Sequence, residues 1–379
     1  MKAVVLGAGR VGGAIAIDLA RQGEFQVTVA DRSEDALARL KGVSGVQTVV
    51  ADLADPQAVG RLVAQHEIVV GAVPGAMGFE VVRAALEAAR PVVDISFFPE
   101  DPYDLDQLAR QQGVSCIVDF GIAPGCSTLF FGKLTTEWRR IDSYLCYVGG
   151  LPVERRWPWQ YKAPFSPADV LELYTRPARY VMGGKEVVRP ALTEVEWLDF
   201  PGVGTLEAFV TDGLRTLLRV QGVDFMVEKT LRYPGHREQV MAMRETGFLS
   251  TTPVRLPDGT QVRPRELAEQ LLFPAWHQEP DDEDLTVMRV MARGEDRDGA
   301  PARAQWDLSD RYDRSTKTTS MARTTGYTCT AGVRLLARGL WREPGVAPAE
   351  LIGKRDDCYD FVLQQMRERG VVFHEDRCA

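Results

Sequence analysis

The first thirty-one residues, MKAVVLGAGRVGGAIAIDLARQGEFQVTVAD, leave this chain the least freedom in how it folds. Lys2–Leu6 is a short apolar run of the kind buried on both faces of a parallel sheet. Gly7, Gly9 and Gly12 follow in G-x-G-x-x-G spacing. Val11–Arg21 then carries small and apolar residues at helical period, and Gln26–Ala30 reads as a second strand ending at Asp31. The glycines divide the work: Gly7 for the tight turn, Gly9 for close approach to a pyrophosphate, Gly12 for helix–strand packing. A diphosphate would sit at the helix N-terminus, where unpaired N–H groups and the helix dipole favour an anion. Strand, glycines, helix, strand and acid in that order give the motif its required βαβ context and predict dinucleotide binding. Arg10 and Val11 belong to the same loop.

Asp31 bears on which dinucleotide is held. A carboxylate at the end of the second strand accepts from the adenosine ribose hydroxyls and repels a 2′-phosphate, which favours NAD. Arg32 and Ser33 follow at once and could instead hold that phosphate, so NADP stays open. Asp52, just past the third strand, stands where the adenine edge is expected, or caps the helix beginning near Pro56. Val73 and Pro74, after the fourth strand, should face the central part of the cofactor.

The βα rhythm continues through Val46–Val50, Ile68–Val70, Pro91–Asp94 and Ser115–Val118. That makes six strands, a complete doubly wound parallel domain. Asp94 and Asp119 therefore both fall at the active edge of the sheet. There they could act as general base or hold a substrate ammonium, or could cap the segments that follow. Beyond Gly121–Gly125 the pattern shifts to β signals and long polar turns interleaved with helices, predicting an α+β domain. Arg293–Ala302 reads as an exposed hairpin turn. From Ser320 the pattern is helical and is expected to pack back on the first domain. The predicted organisation is thus 1–122 for dinucleotide binding, 123–325 for an inserted substrate and dimerisation domain, and 326–379 for a helical segment completing the first.

Whole-chain properties exclude several classes. A length of 379 residues suggests two or three domains. A net charge of −8 leaves no electrostatic footprint for nucleic acid. No apolar run reaches the roughly 18 residues of a membrane span, and an N-terminus that already reads as core strand predicts no leader to remove. Six cysteines and four histidines show no metal-ligand spacing, so no metal site is expected and the thiols fit a reducing cytoplasm. Polar side chains on glycine- or proline-bearing turns mark Tyr161, Lys162, Thr211, Arg215, Arg232 and His236 as candidate pocket residues. His236 could equally cap the helix starting near Glu238.

Several stretches carry a family resemblance: VLGAGRVG at the start, VDFGIAPG at 118–125, YVGGLPV at 147–153 and FSPADVLELYTRPA at 165–178. LEAFVTDGLRTL at 206–217, EKTLRYPGH at 228–236 and TSMARTTGYT at 319–328 complete the set. In order and extent they resemble the saccharopine dehydrogenase-like family, and within it the lysine 6-dehydrogenase branch. The resemblance implies a Rossmann domain completed by C-terminal segments, an inserted domain serving substrate binding and homodimerisation, and amine chemistry with NAD or NADP. Ala123 stands where saccharopine reductases carry an acid, which is the lysine-enzyme pattern. Arg215 lies in the turn where the saccharopine branch holds an arginine that clamps a substrate carboxylate, and Tyr161-Lys162 also look like that branch. The implied reaction is NAD-dependent oxidative deamination of the terminal amine of L-lysine to 2-aminoadipate 6-semialdehyde and ammonia. The alternative is reductive coupling of an aldehyde and an amine, of saccharopine or carboxynorspermidine type. From another class comes a cofactor-binding regulatory protein without catalysis.

Overall fold

The computed structural model describes residues 1–378. Its first part alternates strand and helix: β1 (Lys2–Leu6), α1 (Arg10–Ala20), β2 (Gln26–Asp31), α2 (Glu34–Ala38), β3 (Val46–Val50), α3 (Pro56–Val63), β4 (Ile68–Gly71), α4 (Gly75–Glu87), β5 (Val92–Asp94), α5 (Asp106–Gln111) and β6 (Ser115–Val118). Then come α6 (Cys126–Glu137), β7 (Trp138–Pro152), α7 (Pro167–Thr175), β8 (Ala178–Met182), β9 (Lys185–Arg189), β10 (Glu196–Phe200), β11 (Gly204–Val210), β12 (Phe225–Arg232) and α8 (His236–Glu245). A small hairpin of β13 (Val254–Arg255) and β14 (Gln261–Val262) precedes α9 (Pro264–Ala275), β15 (Asp284–Asp296) and β16 (Pro301–Arg311). The chain closes with α10 (Ser320–Ala337), β17 (Gly345–Pro348), α11 (Ala349–Gly353), α12 (Asp356–Glu368) and β18 (His374–Cys378). Among the described residues no helix is long and apolar enough to cross a membrane.

The first sheet is parallel, in the order β17-β6-β5-β4-β1-β2-β3. Strands β1, β4, β5 and β6 are buried almost throughout, which accounts for their uninterrupted apolar sequences. The order reverses between β1 and β4, and that switch opens a crevice at the carboxyl ends of the strands. The second sheet runs β10-β11-β12-β7-β15-β16-β18, with β8 attached to β12 and β9 to β8. Helices α6 and α10 lie between the sheets. Leu129 and Phe130 of α6 join Cys329 and Val333 of α10 in one buried cluster. That cluster reaches Val93 and Ile117 of the first sheet and Tyr144, Val290 and Trp306 of the second.

Two sequence expectations need correction, in the tail and in the extent of one turn. The tail contributes strands as well as helices: β17 extends the parallel sheet beside β6, and β18 pairs with β16. Four residues of Gly-Val-Ala-Pro are too short to declare a period, and only the free edge of β6 makes them a strand. The hairpin expected over 293–302 is present, with a narrower turn of residues 297–300: β15 pairs with β16 out to Glu295 and Pro301, so the flanking polar residues are strand. Strand β16 alternates buried Ala304, Trp306 and Leu308 with more exposed residues, a period-two signal that its many charges obscure.

The tail is held to α1 by charge. Asp18 on α1 is buried and accepts from Arg334 Nη1 of α10 at 2.8 Å and from Arg369 Nε, just past α12, at 2.8 Å. Removing one member of such a group strands buried charge. Asp18→Ala should therefore lower unfolding free energy by roughly 3–5 kcal/mol in a denaturant titration; a loss below about 1 kcal/mol would show that the two arginines find water instead.

Candidate active site

A cavity of about 570 Å³ fills the crevice between the first sheet and β7–β12 of the second. Gly7 has φ +111°, and a Cβ on it would lie 2.3 Å from the Ala72 carbonyl oxygen. A Cβ on Gly12 would lie 2.1 Å from the Gly7 carbonyl oxygen, so loop and helix touch backbone to backbone. Gly9 differs: a Cβ there meets nothing within 4 Å and would project into open space. Gly9 also caps α1, with no side chain bonded to the helix end and no acid in its first turn. The N–H groups of α1 are thus free for an anion, and the loop fits a dinucleotide pyrophosphate.

Asp31 holds the turn together: Oδ2 accepts from Ala8 N at 2.7 Å and Oδ1 from Ser33 N at 2.9 Å. Arg32, Asp52, Val73 and Pro74 line the same cavity with Gly7, Gly9, Arg10, Val11 and Gly12, so every residue expected at the cofactor is brought together. The cap of α3 is Asp55, whose Oδ1 accepts from Gln57 N, and Asp52 instead accepts from Ala54 N in a tight turn. Arg10 also reaches across the crevice, donating to the Ala163 carbonyl at 3.0 Å and to Gln278. Arg39, beyond α2, lines the adenosine end as well; no local motif marks it, because only the fold carries it there.

The two carboxyls expected at the strand ends occupy different surroundings. Asp94 is fully buried and absent from the cavity wall; its Oδ1 accepts from Ser96 N at 2.9 Å and Ser96 Oγ at 2.7 Å, and Ser96 does line the cavity. Burial pushes the Asp94 carboxyl up to about 7. Asp119 lies in the wall, its Oδ2 accepting from Arg215 Nε at 2.9 Å and its Oδ1 without a partner among the described residues. Arg215 in turn stacks on Phe97, 4.9 Å from the ring centroid. Asp119, Arg215 and Phe97 all have left-handed backbones, at φ +53°, +54° and +49°. Left-handed conformations at non-glycine residues cost energy and concentrate at functional sites.

The far wall is β12. Glu228, Thr230 and Arg232 alternate along it and so share the face turned to the cavity. Arg232 is buried; its Nε donates to Tyr174 Oη at 2.9 Å and its Nη2 to Tyr161 Oη at 3.4 Å. No carboxylate lies within ion-pair distance of it among the described residues. Burial opposes its charge, and the two phenols outweigh that effect. His236 stands behind, bonded to Tyr174 Oη at 2.9 Å and the Trp159 carbonyl at 3.0 Å, and is pushed down to about 3 by burial and Arg232. It is therefore neutral. His236 opens α8, with Gly235 as the cap.

Of the substrate residues expected from sequence, Arg232 alone is in the wall. Tyr161 and His236 support it, Thr211 bonds Thr230 Oγ1 at 2.9 Å, and Arg215 is engaged with Asp119. Lys162 turns away to the His277 carbonyl and Asp282. Sequence reasoning missed Glu228, Ser96 and Asp169, which line the cavity; Asp169 Oδ1 accepts from Gly75 N at 3.1 Å. Glu228 opens the segment EKTLRYPGH, and its two-residue phase with Arg232 was the available signal.

The family profile described as the saccharopine dehydrogenase NADP binding domain matches residues 3–117, and that of the saccharopine dehydrogenase C-terminal domain matches residues 121–371. The chain belongs to the saccharopine dehydrogenase family. Its first sheet is accordingly an NAD(P)-binding Rossmann domain. A saccharopine dehydrogenase (NADP(+), L-glutamate-forming) of Pyricularia oryzae is 27% identical over 62% of this chain, which spans 55% of that protein. Carboxynorspermidine synthase of Vibrio cholerae is 23% identical over 91% of each chain. The structure of apo saccharopine dehydrogenase (L-Glu forming) from Saccharomyces cerevisiae superposes over 100% of both chains with a TM-score of 0.80 at 20% identity, a likeness of fold.

Two outcomes follow from this geometry. Gly9→Ala should fold with an unchanged Tm yet weaken NADH binding more than about tenfold in a fluorescence titration, because the methyl fills pyrophosphate space. Equal affinity would put the pyrophosphate elsewhere. The second concerns pH. Burial holds Asp94 and Glu350 at about 7 and Glu228 at about 8, against about 4 in an unfolded chain. The folded protein therefore holds more protons than the unfolded chain between those limits. Their contribution to stability is fully present below the unfolded value and is lost as pH rises through the folded ones. Tm should fall on going from about pH 5 to about pH 8, and Glu350→Gln should flatten that slope.

Proposed function

We propose that this protein is an NAD(P)-dependent amine dehydrogenase that oxidatively deaminates the terminal amine of L-lysine to the 6-semialdehyde and ammonia. The observation carrying this reading is the charge layout of the substrate half of the cavity. One buried guanidinium, Arg232, lacks a carboxylate partner among the described residues, while the carboxyls of Asp119, Asp169 and Glu228 line the walls around it. That set suits a ligand with one carboxylate and a cationic amine. Saccharopine, with several carboxylates, would leave most of them facing acids.

Arg232 would hold the α-carboxylate through its planar fork, with Tyr161 and Tyr174 fixing the guanidinium from behind. Arg215, although it lies in the turn expected to clamp the carboxylate, is better suited to balancing the charge of Asp119. Asp119 would draw the substrate ammonium toward the strand ends, and Asp94 would act through Ser96. The bound dinucleotide supplies the hydride acceptor at its nicotinamide ring. An ammonium cannot release hydride from the adjoining carbon, so the enzyme must first take a proton from it. Loss of hydride leaves an imine, water adds to the carbon, and ammonia departs. Asp31 favours NAD, whereas Arg32 and Arg39 in the same wall would accept NADP. Assembly as a homodimer belongs to the same proposal, supported by exposed Val188 and Trp197 on β9 and β10.

A second reading is supported by the match to carboxynorspermidine synthase over 91% of each chain: reductive joining of an aldehyde and an amine. The deciding assay follows NADH absorbance with L-lysine and NAD, with NADP in parallel and ammonia quantified. NAD(P)H oxidation only when aldehyde and amine are supplied together would replace the first reading with the second. Arg232→Lys should raise KM for L-lysine more than about tenfold with little change in kcat, since an ammonium cannot reproduce the fork. Cadaverine, which lacks the carboxylate, should be indifferent to the change.

A further inference from the structure

Taking the substrate amine to enter between Asp119 and β12, as the proposed function requires, we infer that Glu228 is the group that exchanges the proton with that amine. The placement argues for it. Glu228 lines the cavity two positions from Thr230 and four from Arg232 on one face of β12, about 13 Å from Arg232 along the strand. A ligand anchored by its carboxylate at Arg232 and extended along the strand therefore brings its far end toward Glu228.

The space around Glu228 is made by the chain itself. Gly213 lies directly under the carboxyl: a Cβ on that glycine would lie 1.6 Å from Glu228 Oε1. The groups facing Glu228 come from three segments. They are Cys146 from β7, paired with it in register; Asp119 from the end of β6; and Asp212 and Arg215 from the turn after β11. The cations there are already engaged, Arg215 by Asp119 and Arg179 by Asp212. Each of these acids shares its charge with an arginine, whereas Glu228 has no ion-pair partner among the described residues. Burial first, and then Asp212 and Asp119, push the Glu228 carboxyl up to about 8 against the opposing pull of Arg215. A carboxyl in that range gains and loses its proton near working pH.

The step balances simply. An N–H bond of the ammonium breaks, an O–H bond forms at a Glu228 oxygen, and the nitrogen keeps its electron pair. Hydride then leaves the adjoining carbon for the oxidised dinucleotide, and the proton passes from Glu228 to solvent before the next turnover.

Glu228→Gln keeps the shape and removes the titration. The variant should keep its Tm at neutral pH and its NADH affinity. Its kcat for amine oxidation should fall about a hundredfold or more. In the wild type kcat should rise as pH passes through about 8, and this limb should vanish in the variant. An assay without turnover isolates the residue from the reaction: infrared difference spectra on adding L-lysine to the complex with reduced dinucleotide. Above about pH 8, where Glu228 has given up its own proton, a protonated-acid carbonyl band should appear in the wild type, with no such change in Glu228→Gln. A band change that persists in the variant, or an unaltered kcat profile, would overturn the assignment. An inactive wild type that still shows the band change would count against lysine oxidation and for Glu228.

Discussion

The ion pair between Asp119 and Arg215 joins the carboxyl end of β6 to the turn after β11, and so ties the dinucleotide-binding sheet to the second sheet at the cavity. Both side chains are nearly sealed from solvent, so removing either would strand the other's charge in a buried site. Both backbones, with that of Phe97 beneath the guanidinium, are held left-handed. Surroundings that keep three such residues in place must be rigid. Burial is what pushes up the nearby carboxyls of Asp94, Glu228 and Glu350; Asp119 adds to that push at all three, and Arg215 opposes it at Asp94 and Glu228.

The placement of charge gives the cavity its polarity. At the dinucleotide end, backbone N–H groups of α1 and the guanidiniums of Arg10, Arg32 and Arg39 favour phosphates. At the substrate end a single guanidinium stands among acids. Strand β12 sets the spacing in that half, because alternate side chains on one strand face one way at a fixed rise. Tyr174 is shared by Arg232 and His236, and neutral His236 accordingly supports the guanidinium without repelling it.

Legibility in the sequence followed the range of the interactions. The dinucleotide loop was readable residue by residue, since Gly7, Gly9, Gly12 and Asp31 act within one βαβ unit. Helices with local starts were equally plain: Ser166 and Pro167 open α7, and Thr319 caps α10. Strand β17 was invisible, because four residues become a strand only against the free edge of β6. The family resemblance singled out Arg215 as the carboxylate clamp and left Arg232 as a second choice, since nothing local to either arginine shows its partner. What separates them is that Asp119, distant in sequence, lies beside one and no described carboxylate lies beside the other.

Neighbours along the chain were enough to dictate a parallel sheet that presents a glycine loop, a helix N-terminus and an acid to a dinucleotide, because each of those contacts is local. They were enough, too, to put Asp94 and Asp119 at strand ends. It took the folded arrangement to settle which of those acids reaches the cavity, which arginine pairs with a carboxylate and which does not, and that Glu228 joins them. Those outcomes rest on burial and on the pairing of charges between segments far apart in sequence, and a charge has no defined role until the fold has set its neighbours.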